Sequence, residues 1–236
     1  MENPFIREEM ALGSPALAKL QSSHVIVFGI GGVGSYTAEA LARAGVGAIT
    51  LVDNDTVGLS NINRQLCALH STVGQYKAQV MAQRIRDINP ACQVRALCKL
   101  YDEAHKEEFF DRDYSYVADC IDLVSCKLSL ILNARQRSIP IISALGTGNK
   151  LDPSQFSITD ISKTSGCPLA RVIRKELKNR GILHHTVLFS PEPPLTPLAL
   201  EAPPPGRRSI PASVSWCPSV AGLMIAGHIV QELIRA

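Results

Sequence analysis

HVIVFGIGGVGSYTAEALARAGVGAITLVDNDTVGLSNINRQ, running from His24 to Gln65, spells out a phosphate-binding βαβ unit. The continuous apolar run Val25 to Phe28 predicts a buried strand, and Gly29-x-Gly31-Gly32-x-Gly34 predicts the tight turn after it. An Ala-rich segment with helical spacing follows, so a helix is expected to start near Gly32. Unpaired N–H groups and the positive end of a helix dipole suit an anion at that point. A second strand, Ala48 to Val52, ends in Asp53, where such folds place the carboxylate that grips ribose hydroxyls.

Taken alone, the glycines and Asp53 fit an NAD-binding Rossmann unit as well as any other nucleotide site. The residues that follow narrow the chemistry: Asp55, then Asn61, Arg64 and Gln65 in LSNINRQ, then Lys77 after VGQY. Hydride transfer has no evident use for two cations close behind a ribose carboxylate. An enzyme that splits ATP does, because cations beside the phosphates neutralise charge developing on the α-phosphate and on pyrophosphate.

The combination GxGGxGS, LVDxDxVxxSNxNRQ and VGxxKA closely resembles the ThiF/MoeB/HesA group of the ubiquitin-activating-enzyme-like superfamily, which adenylates carboxylates. Within that group the chain is most similar, from Arg7 to about Leu233, to the tRNA threonylcarbamoyladenosine dehydratases. The resemblance implies a Rossmann-like, doubly wound, mainly parallel α/β sheet with a C-terminal crossover loop and a terminal helix. It implies ATP and magnesium as cofactors. Gly29, Gly31, Gly32, Gly34, Asp53, Asp55, Asn61, Arg64 and Lys77 would form the nucleotide site, with Asp53 on the ribose and Asn61, Arg64 and Lys77 on the phosphates. Asp122, in DCIDLVSCK, matches the acidic position of the magnesium and phosphate region, and an N-cap for the following helix is its ordinary alternative. Arg7 matches an arginine that reaches the γ-phosphate end of ATP across a homodimer, against the plain reading of a solvated arginine near a terminus.

The remaining chain extends the same pattern. Lys77 to Ile88 is helical by apolar spacing, stopped by Asn89-Pro90, and Gln93 to Leu97 reads as a strand. A helix is expected near Asp102 to Phe110, then a strand from Tyr114 to Cys120 that delivers Asp122 at its carboxyl end, where ligands of open α/β sheets gather. Ile139 to Ala144 is a further buried strand, closing a nucleotide-binding part at residues 24–150 of a single 1–236 adenylation domain.

Residues 151–236 read as the substrate part. Between Lys163 and Arg180 six cations stand against the single acid Glu176, and Arg171, Arg174, Lys175 and Lys178 share one face of an expected helix. Such a row is either a solvated helix face or a track for RNA phosphates. Eight of the 15 prolines fall between Pro191 and Pro211, so that stretch reads as an irregular loop. By resemblance it is the crossover, with Arg207 and Arg208 near substrate; two arginines on a surface loop are the alternative. A short strand from Ser213 to Trp216 and an apolar helix from Pro218 to Ile234 are expected at the end, the helix being too interrupted for a membrane span and better read as core or dimer contact.

Composition agrees with one sizeable core: 236 residues, 46% hydrophobic and 19% charged. A net charge of +3 carries no global field argument, so nucleic-acid binding must rest on local clusters. Of the seven cysteines, no two stand in a C-x-x-C pair, which weighs against a structural zinc and favours small core residues. MENPFIREEMALG lacks a basic and apolar leader pattern, and a cytoplasmic protein without membrane attachment is expected. The resemblance implies loss of water from threonylcarbamoyladenosine in tRNA by way of an acyl adenylate, and leaves open a cysteine desulfurase or sulfur-carrier partner. An activator of a ubiquitin-like sulfur carrier and an NAD-linked oxidoreductase are the other readings of the same glycine-rich unit.

Overall fold

A computed structural model describes residues 3–200 and 210–235. Chain order is α1 (Ile6–Leu12), α2 (Ser14–Ser22), β1 (His24–Phe28), α3 (Gly34–Arg43), β2 (Ala48–Val52), α4 (Lys77–Ile88), β3 (Gln93–Leu97), β4 (Tyr116–Asp119), α5 (Val124–Gln136), β5 (Ile141–Ala144), β6 (Ser157–Asp160), α6 (Pro168–Asn179), β7 (Thr186–Phe189) and α7 (Trp216–Arg235). The described strands form one seven-stranded sheet in the order β3-β2-β1-β4-β5-β7-β6. All neighbours are parallel except β6 and β7, which pair antiparallel at the edge. The sequence switches side between β1 and β4, and the crevice at their carboxyl ends is where an open α/β sheet binds its ligand.

The central strands are near-continuous apolar runs because both faces are covered. One face packs α3, α4 and α7 in a core that includes Val25, Val27, Ile49, Leu51, Ile225 and Ile229. The other packs α5 and α6 on Ile26, Phe28, Val117 and Val187. Contact between α3 and α7 is close. A side-chain carbon at Gly222 would stand 2.4 Å from the Val33 carbonyl oxygen, and Thr37 Oγ1 donates to the Gly222 carbonyl at 3.1 Å. Among the described helices α7 has the length and composition of a membrane span, but half of its apolar window is buried inside the chain.

Three expectations are corrected. The helix after the glycine turn begins at Gly34 rather than near Gly32, because Gly31 to Val33 close the turn first. Asp102 to Phe110 holds only a short 3-10 turn, Lys106–Glu108. There the Asp102 carboxylate accepts the His105 N–H at 2.9 Å, and Phe109 plugs onto Phe28 with ring centroids 6.0 Å apart, so no helical stripe forms. Ser213 to Trp216 is not a strand, since its backbone is taken by loops: Asn63 Nδ2 donates to the Ser213 carbonyl at 2.9 Å and Trp216 already opens α7. Arg7 lies within a helix of its own, α1, which Gly13 at φ 87° separates from α2.

Candidate active site

Three turns at the carboxyl ends of β1, β2 and β4 build the site. Gly29 has φ 84°, and a side-chain carbon there would sit 2.8 Å from the Cys120 carbonyl oxygen, so only glycine lets the turn after β1 pass beside the turn after β4. A carbon on Gly34 would stand 1.8 Å from the Gly29 carbonyl oxygen, which makes that glycine equally obligatory. Pro218, near the start of α7, packs on Gly32 and braces the loop from outside.

Asp53 closes the turn after β2. Its carboxylate accepts the Ile30 N–H at 2.6 Å and the Asp55 N–H at 2.8 Å, tying the two turns together. Burial raises its pKa above the ordinary carboxylate value, opposed by those two backbone hydrogen bonds and by Lys77. Lys77 opens α4 with its side chain only 7% exposed, and its Nζ is 2.8 Å from Asp55 Oδ2. Arg64 donates through Nη1 to the Ser60 carbonyl at 2.8 Å and to Asn63 Oδ1 at 2.9 Å, and burial lowers its pKa. Its guanidinium is thus oriented before any ligand arrives.

These groups line one cavity of about 830 Å³, together with Gly29, Gly31, Gly32, Asp55 and Asp122. The cavity continues past the nucleotide turns to Gly146–Lys150, Cys167–Leu169, Pro194 and Ile210–Ser213. It thus extends well beyond the glycine turns, toward residues 146–150, 167–169 and 210–213.

Other expected site residues stand elsewhere. Asn61 is not among the described lining residues; its Oδ1 accepts the Gly58 N–H at 3.0 Å and shapes the 3-10 turn that presents Arg64. Arg7 is exposed on α1 and does not line the cavity of its own chain. On α6, Arg171, Lys175 and Lys178 are exposed, whereas Arg174 turns back to Thr164, donating to its carbonyl at 2.7 Å and to its hydroxyl at 2.6 Å. Val172 is exposed between them. Arg207 and Arg208 lie outside the described residues.

Two features were not visible in the sequence. Asp119 and Lys127 form an ion pair at 2.7 Å with both side chains fully buried, directly beneath the turn that carries Cys120 and Asp122. Asp119 Oδ1 also accepts the Ile121 N–H at 3.2 Å. Lys150, on the turn after β5, is the second. The cavity-lining thiol of Cys120 is pushed up to about 12 by burial, which leaves it protonated and a poor nucleophile.

A 3-2-1-4 parallel core whose strand ends gather a glycine turn, Asp53, Arg64 and Lys77 in one cavity has the form of a nucleotide-dependent carboxylate activator of the ThiF type. The chain belongs to the ThiF family, whose model matches residues 6–236. It is 46% identical over 244 residues to the tRNA threonylcarbamoyladenosine dehydratase of Bacillus subtilis, covering 100% of this chain and 96% of that protein. The crystal structure of the E. coli tRNA N6-threonylcarbamoyladenosine dehydratase TcdA with AMP is similar at a TM-score of 0.89 and 36% identity, covering 98% of this chain and 94% of that one. The same E. coli enzyme in complex with ATP gives the same coverage, identity and TM-score.

Proposed function

We propose that this protein is an ATP-dependent tRNA threonylcarbamoyladenosine dehydratase that works by adenylating a carboxylate. The observation that carries the reading is one cavity holding Asp53, Arg64 and Lys77 at one end and open space for an acyl substrate at the other. End-to-end likeness to the B. subtilis dehydratase supports the choice of substrate over a carrier-protein tail or a nicotinamide.

In this reading the carboxylate of the threonyl group attacks the α-phosphate, a carboxylate-oxygen-to-phosphorus bond forms, and pyrophosphate leaves. The neighbouring carbamoyl group then attacks the acyl carbon, loses a proton and expels AMP, so the nucleoside has lost the elements of water. Asp53 holds the ribose, and Arg64 and Lys77 stabilise charge on the phosphates. Proximity of the two groups within one substrate removes the need for a protein nucleophile.

Magnesium fits as a phosphate-bound ion. Mg²⁺ takes one or two carboxylates besides phosphate and water, and Asp122 lines the cavity, whereas no group of three or more acidic, His or Cys side chains able to cage a metal occurs among the described residues. Bound there, the ion would neutralise charge on the leaving pyrophosphate. We assign Arg7 to the γ-phosphate end of a site in a homodimer, and the protein to the cytoplasm.

We assign the substrate RNA to a path along α6. Its first residues, Pro168 and Leu169, line the cavity, and Arg171, Lys175 and Lys178 lead away from it on the exposed face. Reversing Lys175 and Lys178 to Glu is expected to weaken tRNA binding about tenfold or more and to flatten its salt dependence, with ATP binding unchanged. Equal affinities of wild type and variant in a filter-binding titration would return the helix to a solvated face.

The reading itself is tested by incubating the protein with ATP and tRNA bearing the modified adenosine. AMP, pyrophosphate and a nucleoside lighter by one water are expected. AMP formed only with a ubiquitin-like carrier, or reduction of NAD, would replace the reading by one of its alternatives.

A further inference from the structure

Lys150 is a buried cation on the turn after β5. It is only 3% exposed, and its Nζ donates to the backbone carbonyl of Glu192. Among the described residues no carboxylate forms an ion pair with it. The nearby Glu192 carboxylate is spent on the N–H groups of Leu151 and Asp152, at 2.9 and 3.2 Å. An ammonium has three donors, and an unpaired one out of water is costly, so a group that supplies negative charge there is strongly favoured.

The place it occupies is fixed by the fold. Asn149, in the left-handed region at φ 58°, clamps three segments: its N–H donates to the Ala212 carbonyl at 2.8 Å, its Oδ1 accepts the Ala212 N–H at 2.7 Å, and its carbonyl accepts the Leu195 N–H at 3.0 Å. Cys217 Sγ donates to the Lys150 carbonyl at 3.3 Å and Trp216 Nε1 to the Leu151 carbonyl at 2.7 Å. Five hydrogen bonds thus hold one short turn against the cavity. Lys150 lines the substrate end, where the other described lining residues, at 167–169, 194 and 210–213, carry no formal charge.

We infer that Lys150 is the substrate-binding cation of this enzyme, holding the free carboxylate that is to be adenylated. The assignment rests on the function proposed above. An anionic nucleophile must approach an anionic α-phosphate, and a cation on the carboxylate's side offsets that repulsion in a water-poor cavity. The phosphate cations Arg64 and Lys77 serve the opposite end, so the two charges being brought together have separate counter-ions. Adenylation removes the negative charge of the acyl group, and Lys150 then releases its hold as the ring closes.

The test uses a synthetic anticodon stem-loop RNA carrying the modified adenosine as free acid or as methyl ester, titrated onto AMP-saturated protein. Wild type should bind the acid about tenfold or more tighter than the ester, the scale of one charge-assisted hydrogen bond. Lys150→Met should bind both alike, with AMP affinity unchanged. Lys150→Gln keeps a donor for the Glu192 carbonyl without the charge and should behave as the methionine variant does, including where the latter is unstable. A purely structural role would lower the melting temperature and leave the acid-to-ester ratio intact. If wild type discriminates and both variants discriminate equally, the Lys150 assignment is overturned while the dehydratase reading stands. If wild type binds acid and ester alike, no cation reads the carboxylate and the Lys150 assignment is overturned; formation of the nucleoside lighter by one water from the same RNA and ATP then decides separately whether the dehydratase reading stands.

Discussion

Replacing Lys77 or Arg64 by alanine is expected to lower ATP-dependent pyrophosphate release roughly a hundredfold or more, the scale for removing a group aimed at transition-state charge. Lys77 carries the larger share of the argument. Its ammonium is almost wholly withdrawn from water and held 2.8 Å from Asp55, which is itself well exposed. A cation so placed needs no reorganisation when a phosphate enters, because position and desolvation are already set by the first turn of α4. Arg64 is held by Ser60 and Asn63 in the same way. Since the charge they meet grows as the carboxylate attacks, kcat should fall further than ATP affinity. Pyrophosphate release and ATP titration on the same folded variants separate the two quantities. Wild-type release from folded Lys77→Ala and Arg64→Ala proteins would remove both residues from the phosphate end.

The nucleotide half was legible because its signals are local. A continuous apolar run, fixed glycine spacing and a carboxylate at a strand end each have one physical meaning, and β1, β2, β3 and α4 fall where the pattern puts them. The edge hairpin was not legible. Ser157–Asp160 is short, polar and half-covered, and its partner Thr186–Phe189 lies beyond a basic helix, so neither shows a strand period of its own. Asp102 to Phe110 misled for a different reason: an acidic, turn-capping start and two adjacent phenylalanines resemble a helix in composition, while tertiary contact with Phe28 decides the outcome. On α6 the spacing put four cations on one face, but Arg174 found a carbonyl and a hydroxyl at Thr164 and left the row. Lys127 and Lys150 stayed hidden because a lysine in sequence reads as surface; only the folded chain shows that both are withdrawn from water.

Lys127→Met is expected to destabilise the protein by about 3–5 kcal/mol, the cost of leaving one member of a buried ion pair without its partner. The pair spans from the last residue of β4 to the first turns of α5, with both side chains 0% exposed. Each charge has taken the desolvation penalty in full, and Asp119 recovers it through Lys127 and the Ile121 N–H. With the ammonium gone, the carboxylate must either stay ionised in apolar surroundings or take up a proton, and both routes cost stability. Asp119→Asn should hurt comparably, since it leaves the ammonium unpaired. The double variant Asp119→Asn, Lys127→Met should be more stable than the sum of the two losses predicts, because it buries no orphan charge. Chemical denaturation of the four proteins gives the coupling directly. The same pair fixes Ile121 and so the turn carrying Cys120 and Asp122 into the cavity, which adds a second readout. Magnesium-dependent ATP affinity should fall in either single variant at temperatures where it remains folded. Additive losses, or a Lys127→Met protein as stable as wild type, would show that the charges are not coupled and that the turn is held by its backbone alone.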